Sequence, residues 1–222
     1  FGQEKIYLMG RSGGSFIGMM TVADAPELYH AYIGVGQMSN HFESERLAYE
    51  YILKKYKEAG DTKMVRKLEA SPVTDSIPIG YLKLRDQAMH QMGIGTTRNM
   101  KSIVTGIFLP SMIFREYTLK EKFTLWRGKS RTGVHPLWNT MITTNLMQQA
   151  NHLEIPIYFF HGEYDYTVSY PLARQYFEML EAPIKRFYTF ENSAHSPIFE
   201  EPQRVREIFE TEILNQNLQQ YD

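Results

Sequence analysis

Residues 5–18, KIYLMGRSGGSFIG, require the chain to reverse from strand to helix within a few residues. Ile6, Tyr7, Leu8 and Met9 form a short apolar run of the length and type of a buried strand. Ser15 to Ala23 is mostly apolar and follows without a break, so it reads as a buried helix despite Gly18. Gly10, Gly13 and Gly14 at the junction permit close backbone approach and unusual dihedrals. The pattern Gly10-Arg11-Ser12-Gly13-Gly14 is G-x-S-x-G, a turn that presents a serine hydroxyl at the end of a parallel strand. A glycine-rich turn that merely contains a serine has the same letters. A serine nucleophile also needs a base and an acid that orients it, so the rest of the chain decides.

The chain of 222 residues is long enough to bury a good core as one domain, or as one domain with a large insertion. Its formal net charge of -1 favours neither nucleic acid nor an acidic membrane surface as a partner. Lys54, Lys55, Lys57, Lys63 and Lys67 alternate with Glu58, Asp61 and Glu69 along a helical stretch, which reads as a solvated face. The absence of cysteine excludes disulfides, thiolate metal sites and a cysteine nucleophile. No apolar run reaches transmembrane length and no secretory signal is evident, which gives a cytoplasmic expectation.

The texture of the sequence changes twice. Residues 5–36 alternate strand and helix, with AYIGVG at 31–36 as a second buried strand. From about His41 to about Ala150 the strand signal disappears. SERLAYEYILKKYKEAG, TKMVRKLEA and the stretches 81–92, 117–127 and 139–150 read as helices. Strands resume with IPIYFF at 155–160 and KRFYTF at 185–190, separated by a helix from Pro171 to Leu180. A last helix opens near Pro202 and shows Val205, Ile208, Phe209 and Ile213 on one side. The expected organisation is an α/β core at 1–40, a helical lid at 41–150 and the rest of the core at 151–222. Strands alternating with helices imply a mostly parallel, doubly wound sheet, whose ligand site lies at the carboxyl ends of the strands.

That rule restricts the search for partners of Ser12 to loops leaving strand ends. Asp165 follows the 155–160 strand, and a turn or helix-capping aspartate is its bland alternative. His195 lies in the loop after the 185–190 strand. His30, His41, His90, His135 and His152 fall within or beside helices or strand starts, and His161 at a strand edge. Only His195 lies in a loop after a strand and also follows the acid. The order Ser12, Asp165, His195 is the one that accompanies this serine turn. In this reading Ser12 attacks a carbonyl carbon, His195 moves the proton, Asp165 orients the imidazole, and the Gly13 N–H forms half of an oxyanion hole. Glu191 is the next candidate for the acid. No metal is expected, because His161 and Asp165 have no further ligand at suitable spacing.

GRSGG, IPIYFFHGEYDYTV and FENSAHSPIFEEP, taken in this order, resemble the nucleophile elbow, acid loop and histidine loop of the α/β-hydrolase superfamily. The long lid and FTLWRG at 123–128 are similar to the proline-iminopeptidase-like branch. The resemblance implies a cofactor-independent serine hydrolase acting on a small ester, amide or short peptide. Members of that branch that cleave amino-terminal residues hold the substrate's ammonium group on lid carboxylates, one of them in a Trp-Glu-Gly. Here the similar stretch is Trp126-Arg127-Gly128, and an arginine repels an amine. Arg11, Trp126 and Arg127 are the substrate-binding candidates, and Phe108, Phe114, Tyr117 and Phe123 are further lid aromatics that either line a pocket or pack helices. An aminopeptidase alternative needs lid acids such as Glu43, Glu45 or Glu50 turned inward. The other alternative is a non-catalytic binding protein that kept the fold. The resemblance also implies further strands ahead of the elbow, so the expectation is that these residues form the carboxyl-terminal part of a longer protein.

Overall fold

The computed structural model describes residues 2–131 and 136–214. Among them, four strands form one parallel sheet in the order β1-β2-β3-β4: β1 Ile6–Arg11, β2 Tyr29–Val35, β3 Ile157–Gly162 and β4 Lys185–Phe190. The central strands bury side chains on both faces, as a helix-covered parallel sheet requires. Tyr32, Ile157 and Phe159 join a core with Phe16, Met19, Val22 and Tyr176 on one face. Ala31, Ile33, Val35, Tyr158 and Phe160 meet Ile208 and Ile213 on the other. Successive residues of one strand therefore serve opposite layers, which is why these runs are continuously apolar rather than alternating.

Helix α1 (Gly13–Asp24) connects β1 to β2. Between β2 and β3 come α2 (His41–Glu58), α3 (Thr62–Glu69), α4 (Ile79–Met92), a π-helical turn at Val104–Phe108, α5 (Leu109–Ile113), α6 (Leu119–Arg131), α7 (Pro136–Thr143) and α8 (Leu146–Gln149). Helix α9 (Tyr170–Met179) lies between β3 and β4, and α10 (Pro197–Glu200) and α11 (Pro202–Ile208) follow β4. Asn40 caps α2 by accepting the Glu43 N–H, and Lys55 and Lys57 fall in the last turn, where the carbonyl dipoles favour cations. Ala48, Ile52, Tyr56, Met64, Leu68, Tyr81 and Met89 of α2, α3 and α4 form a core of their own, apart from the two on the sheet. Met141, Leu146 and Met147 of α7 and α8 instead join the sheet's core.

Two expectations change. The 5–9 run is not a buried strand: Ile6 is 56% and Met9 44% exposed, because β1 is an edge strand bonded on its β2 side alone in the described sheet. The helix expected over 139–150 is two helices. Asn145 interrupts them with extended backbone and caps α8 by accepting the Met147 N–H.

Candidate active site

Ser12 stands between β1 and α1 with φ 55° and ψ −127°, the only non-glycine at positive φ among the described residues. An L-residue in that region is strained, and such strain persists only where the surroundings enforce it. Three contacts do so. The Ser12 N–H donates to the Val35 carbonyl at the end of β2 (3.0 Å), and its own carbonyl accepts from the Ser15 N–H (2.8 Å) and Ser15 Oγ (2.6 Å). Gly10 supplies the room. A Cβ there would lie 2.5 Å from the Gly14 carbonyl oxygen and 2.8 Å from the Ser15 Cα, both backbone of α1. Gly13 opens α1, so its N–H belongs to the first turn, whose donors have no acceptor within the helix.

Asp165 and His195 leave the ends of β3 and β4 and meet: His195 Nδ1 lies 2.8 Å from Asp165 Oδ2, with both side chains buried. Asp165 does the bland task as well, since its Oδ1 accepts the Val168 N–H at 2.9 Å. His161 is a further partner that its place on a strand did not suggest. Its Nε2 lies 3.2 Å from Asp165 Oδ2 and 2.9 Å from the Val168 carbonyl, so it serves two acceptors and must carry the proton. Burial alone pushes the Asp165 carboxyl upward. The charge on His195 and the hydrogen bonds from His161 and His195 outweigh it and hold the group well below the usual carboxylate range. With Nδ1 directed at a carboxylate, His195 presents Nε2 as its basic atom. That Nε2 is buried without a hydrogen-bond partner, so the Ser12 hydroxyl is not bonded to it here.

The two halves of the site approach at the end of β2. Gly36, one residue past Val35 and at φ +56°, sits against the imidazole: a Cβ there would lie 2.8 Å from His195 Cε1 and 3.3 Å from Asp165 Oδ2. The histidine loop is held from several sides. The His195 N–H donates to the Gly95 carbonyl (3.2 Å), and the Ala194 N–H to Glu200 Oε2 (3.0 Å). Arg11 reaches the same loop, its Nη2 donating to Ser196 Oγ at 2.5 Å.

Helix α2 lies close by. Ser44 Oγ accepts the N–H of Ser169 in the loop after Asp165. His41 at the head of the helix is buried, edge-on to Trp138 at 5.0 Å, and close enough for His195 to disfavour its charged form. The three acids named on this helix all face arginine. Glu43 and Glu50 pair with Arg46, and buried Glu45 accepts from Arg85 Nε at 2.7 Å. Of the other candidates, Trp126 donates its indole N–H to Ser111 and packs on Phe108, and Arg127 is exposed on α6. The structure does not bring either to Asp165 and His195. Phe114, Tyr117 and Phe123 are exposed. His135 lies outside the described residues. Among the described residues no group of three or more histidine or carboxylate side chains is arranged to hold a metal ion.

No family model matches the chain. A protein of Bacillus subtilis described as probable aminopeptidase YbaC is 28% identical over 204 residues, covering 91% of this chain and 63% of its own length. The chain thus spans less than two thirds of the curated relative it matches. The crystal structure of proline iminopeptidase from Mycobacterium smegmatis is similar with a TM-score of 0.58 at 14% identity, covering 100% of this chain and 68% of that one. The crystal structure of VinJ gives 0.51 at 16% identity, covering 93% and 64%. The chain has the α/β-hydrolase fold. Within an α/β-hydrolase sheet the carboxyl ends of the strands hold the ligand site, and here Ser12, Gly36, Asp165 and His195 follow β1, β2, β3 and β4 in turn. Among the described residues no helix is long and apolar enough to cross a membrane.

Proposed function

We propose that the chain is the site-bearing part of a serine hydrolase that cleaves a small ester or amide through Ser12, His195 and Asp165. The strained turn at Ser12, bonded to Val35, and the buried His195–Asp165 pair against the neighbouring Gly36 support this reading. Ser12 Oγ attacks the substrate carbonyl carbon while His195 Nε2 takes its proton, and the carbonyl electrons move to an oxyanion near the Gly13 N–H. Collapse of this intermediate breaks the bond to the leaving group, which receives the proton from His195 and departs. The acyl group remains on Ser12. Water, deprotonated by the same Nε2, then attacks the acyl carbon; the bond to Ser12 Oγ breaks, Oγ takes the proton back from Nε2, and the acid leaves. Asp165 stays ionised throughout and fixes the tautomer, a task its depressed proton affinity suits. The missing Ser12–His195 hydrogen bond does not oppose the reading, because such bonds are often long without substrate and tighten when it arrives. The helical segment between β2 and β3 serves as a lid that selects the substrate.

The aminopeptidase reading has support in the described relative from Bacillus subtilis. Against it, Glu43 and Glu50 share Arg46 and Glu45 is paired with Arg85, so each of these acids already faces a cation. A fluorophosphonate probe tests the proposal. Labelling is expected on Ser12 and absent in Ser12→Ala. Asp165→Asn is expected to lower turnover by about 10²–10⁴-fold, since it misdirects the imidazole. Undiminished labelling of Ser12→Ala would remove the assignment.

A further inference from the structure

Arg11 is a charge without a counter-charge. Among the described residues its side chain bonds to one neutral hydroxyl, that of Ser196, and its Nε is buried without any partner. Burial weighs most on its proton affinity and lowers it, with Asp165 and Glu200 acting the other way from a distance. Neither acid is hydrogen-bonded to it. Asp165 is taken up by Val168, His161 and His195, and Glu200 accepts the N–H groups of Arg98 (2.6 Å) and Ala194 (3.0 Å). A buried donor left unsatisfied is costly and a charged one more so, which a ligand that accepts from it relieves.

A cavity of about 460 Å³ opens on this side chain. Its wall sets Arg11, Thr96, Thr97 and Ser196 beside the apolar Met100 and Phe199. The position is informative: Arg11 immediately precedes Ser12, and Ser196 immediately follows His195, so two lining residues of the cavity are chain neighbours of the candidate nucleophile and base.

We infer that this cavity is a carboxylate subsite, and that the substrate carries an anionic carboxylate held by the Arg11 fork and neighbouring hydroxyls, with its alkyl spacer against Met100 and Phe199. The inference deepens the hydrolase reading and, as a substrate assignment, rests on it. One guanidinium with neutral hydroxyls matches a single negative charge, and the planar fork fits the two oxygens of a carboxylate. A phosphate of nearly two charges exceeds what one guanidinium offsets and is the poorer match.

Calorimetric binding of pentanoate and of its neutral isostere pentanamide to the full chain carrying Ser12→Ala tests the subsite without any turnover. Pentanoate is expected to bind at least tenfold more tightly, Arg11→Gln to erase the difference, and Arg11→Lys to restore part of it. A parallel comparison in the unmodified protein uses 4-nitrophenyl hemiglutarate and its neutral methyl ester, whose kcat/KM ratio is expected to favour the acid and to fall towards one in Arg11→Gln. Equal binding of acid and amide overturns the subsite, as does a preference that survives Arg11→Gln or tighter binding of inorganic phosphate. Selective pentanoate binding with no probe labelling of Ser12 overturns the hydrolase reading and leaves the subsite standing, so the two failures are distinguishable.

Discussion

At the scale of single residues, the least expected group is His41. The sequence places it at a helix start, and nothing in its neighbours announces that the fold buries it within reach of His195. Burial is the main cause that brings its pKa from 6.5 down to about 4; Arg85 and His195 act in the same direction and Glu45 against them. The folded protein therefore keeps His41 neutral while the unfolded chain takes up a proton below about pH 6.5. Stability tied to this group is fully present above that pH and is lost as pH falls from 6.5 to about 4, amounting to about 3 kcal/mol. Denaturant titrations from pH 7 to pH 4 are expected to show this loss, and His41→Gln is expected to flatten it. Asp165 adds a loss of the same sign lower down: held below the usual range, it withdraws its contribution only as pH drops beneath about 4. By contrast Ser12, Asp165 and His195 were legible because each sits just past a recognisable strand. His161 was not, since a histidine inside an apolar run gives no sign that its ring turns toward an acid four residues on.

At the scale of elements, the strands and most helices were legible from apolar runs bounded by glycine, proline and asparagine. Strand β2 begins at Tyr29 rather than residue 31 because Ile6 of β1 pairs with Tyr29, a matter of register that periodicity does not carry. The split between α7 and α8 carried a readable cap in Asn145, overridden by the apolar spacing around it. The β1–α1 junction is where one atom decides the geometry. A methyl group at Gly10 meets backbone atoms of α1, which cannot rotate away as a side chain does. Gly10→Ala is therefore expected to destabilise by about 3 kcal/mol, the upper end of overpacking costs, and to lower Tm by roughly 6–12 °C. Thermal unfolding followed by circular dichroism measures it. A change below 2 °C would mean that the turn relaxes freely.

At the scale of the whole molecule, the cores divide the chain into regions of unequal firmness. Strands β2 and β3 are buried on both faces, whereas from residue 103 to residue 129 only Lys122 is buried, and Val104, Leu109, Ile113, Phe114, Leu119 and Phe123 are exposed. Local opening follows the density of buried contacts. Amide hydrogen exchange is expected to be slowest in β2 and β3 and faster by orders of magnitude in α5 and α6; equal protection would contradict this division. The sequence places helices between the second and third strands but does not say which of them are well buried, since α2 and α6 are similarly amphipathic and only the neighbours they find distinguish them. One feature at the root of this segment links its two ends: Asn40 bridges Asn145, and the Leu146 N–H donates to the Ser39 carbonyl at 2.9 Å. Tyr32 of β2 pairs with Ile157 of β3 across more than a hundred residues, a long loop to close. With the root clasped, the closure that matters runs through two short arms, from Val35 to Asn40 and from Asn145 to Ile157. Loop entropy grows only with the logarithm of length. Chain length added or removed in the exposed stretch from residue 103 to residue 129 thus costs the sheet little closure entropy, whereas Ser44, Gly95 and Met141, which touch the loop after Asp165, the His195 loop and the sheet's core, are tied to their places.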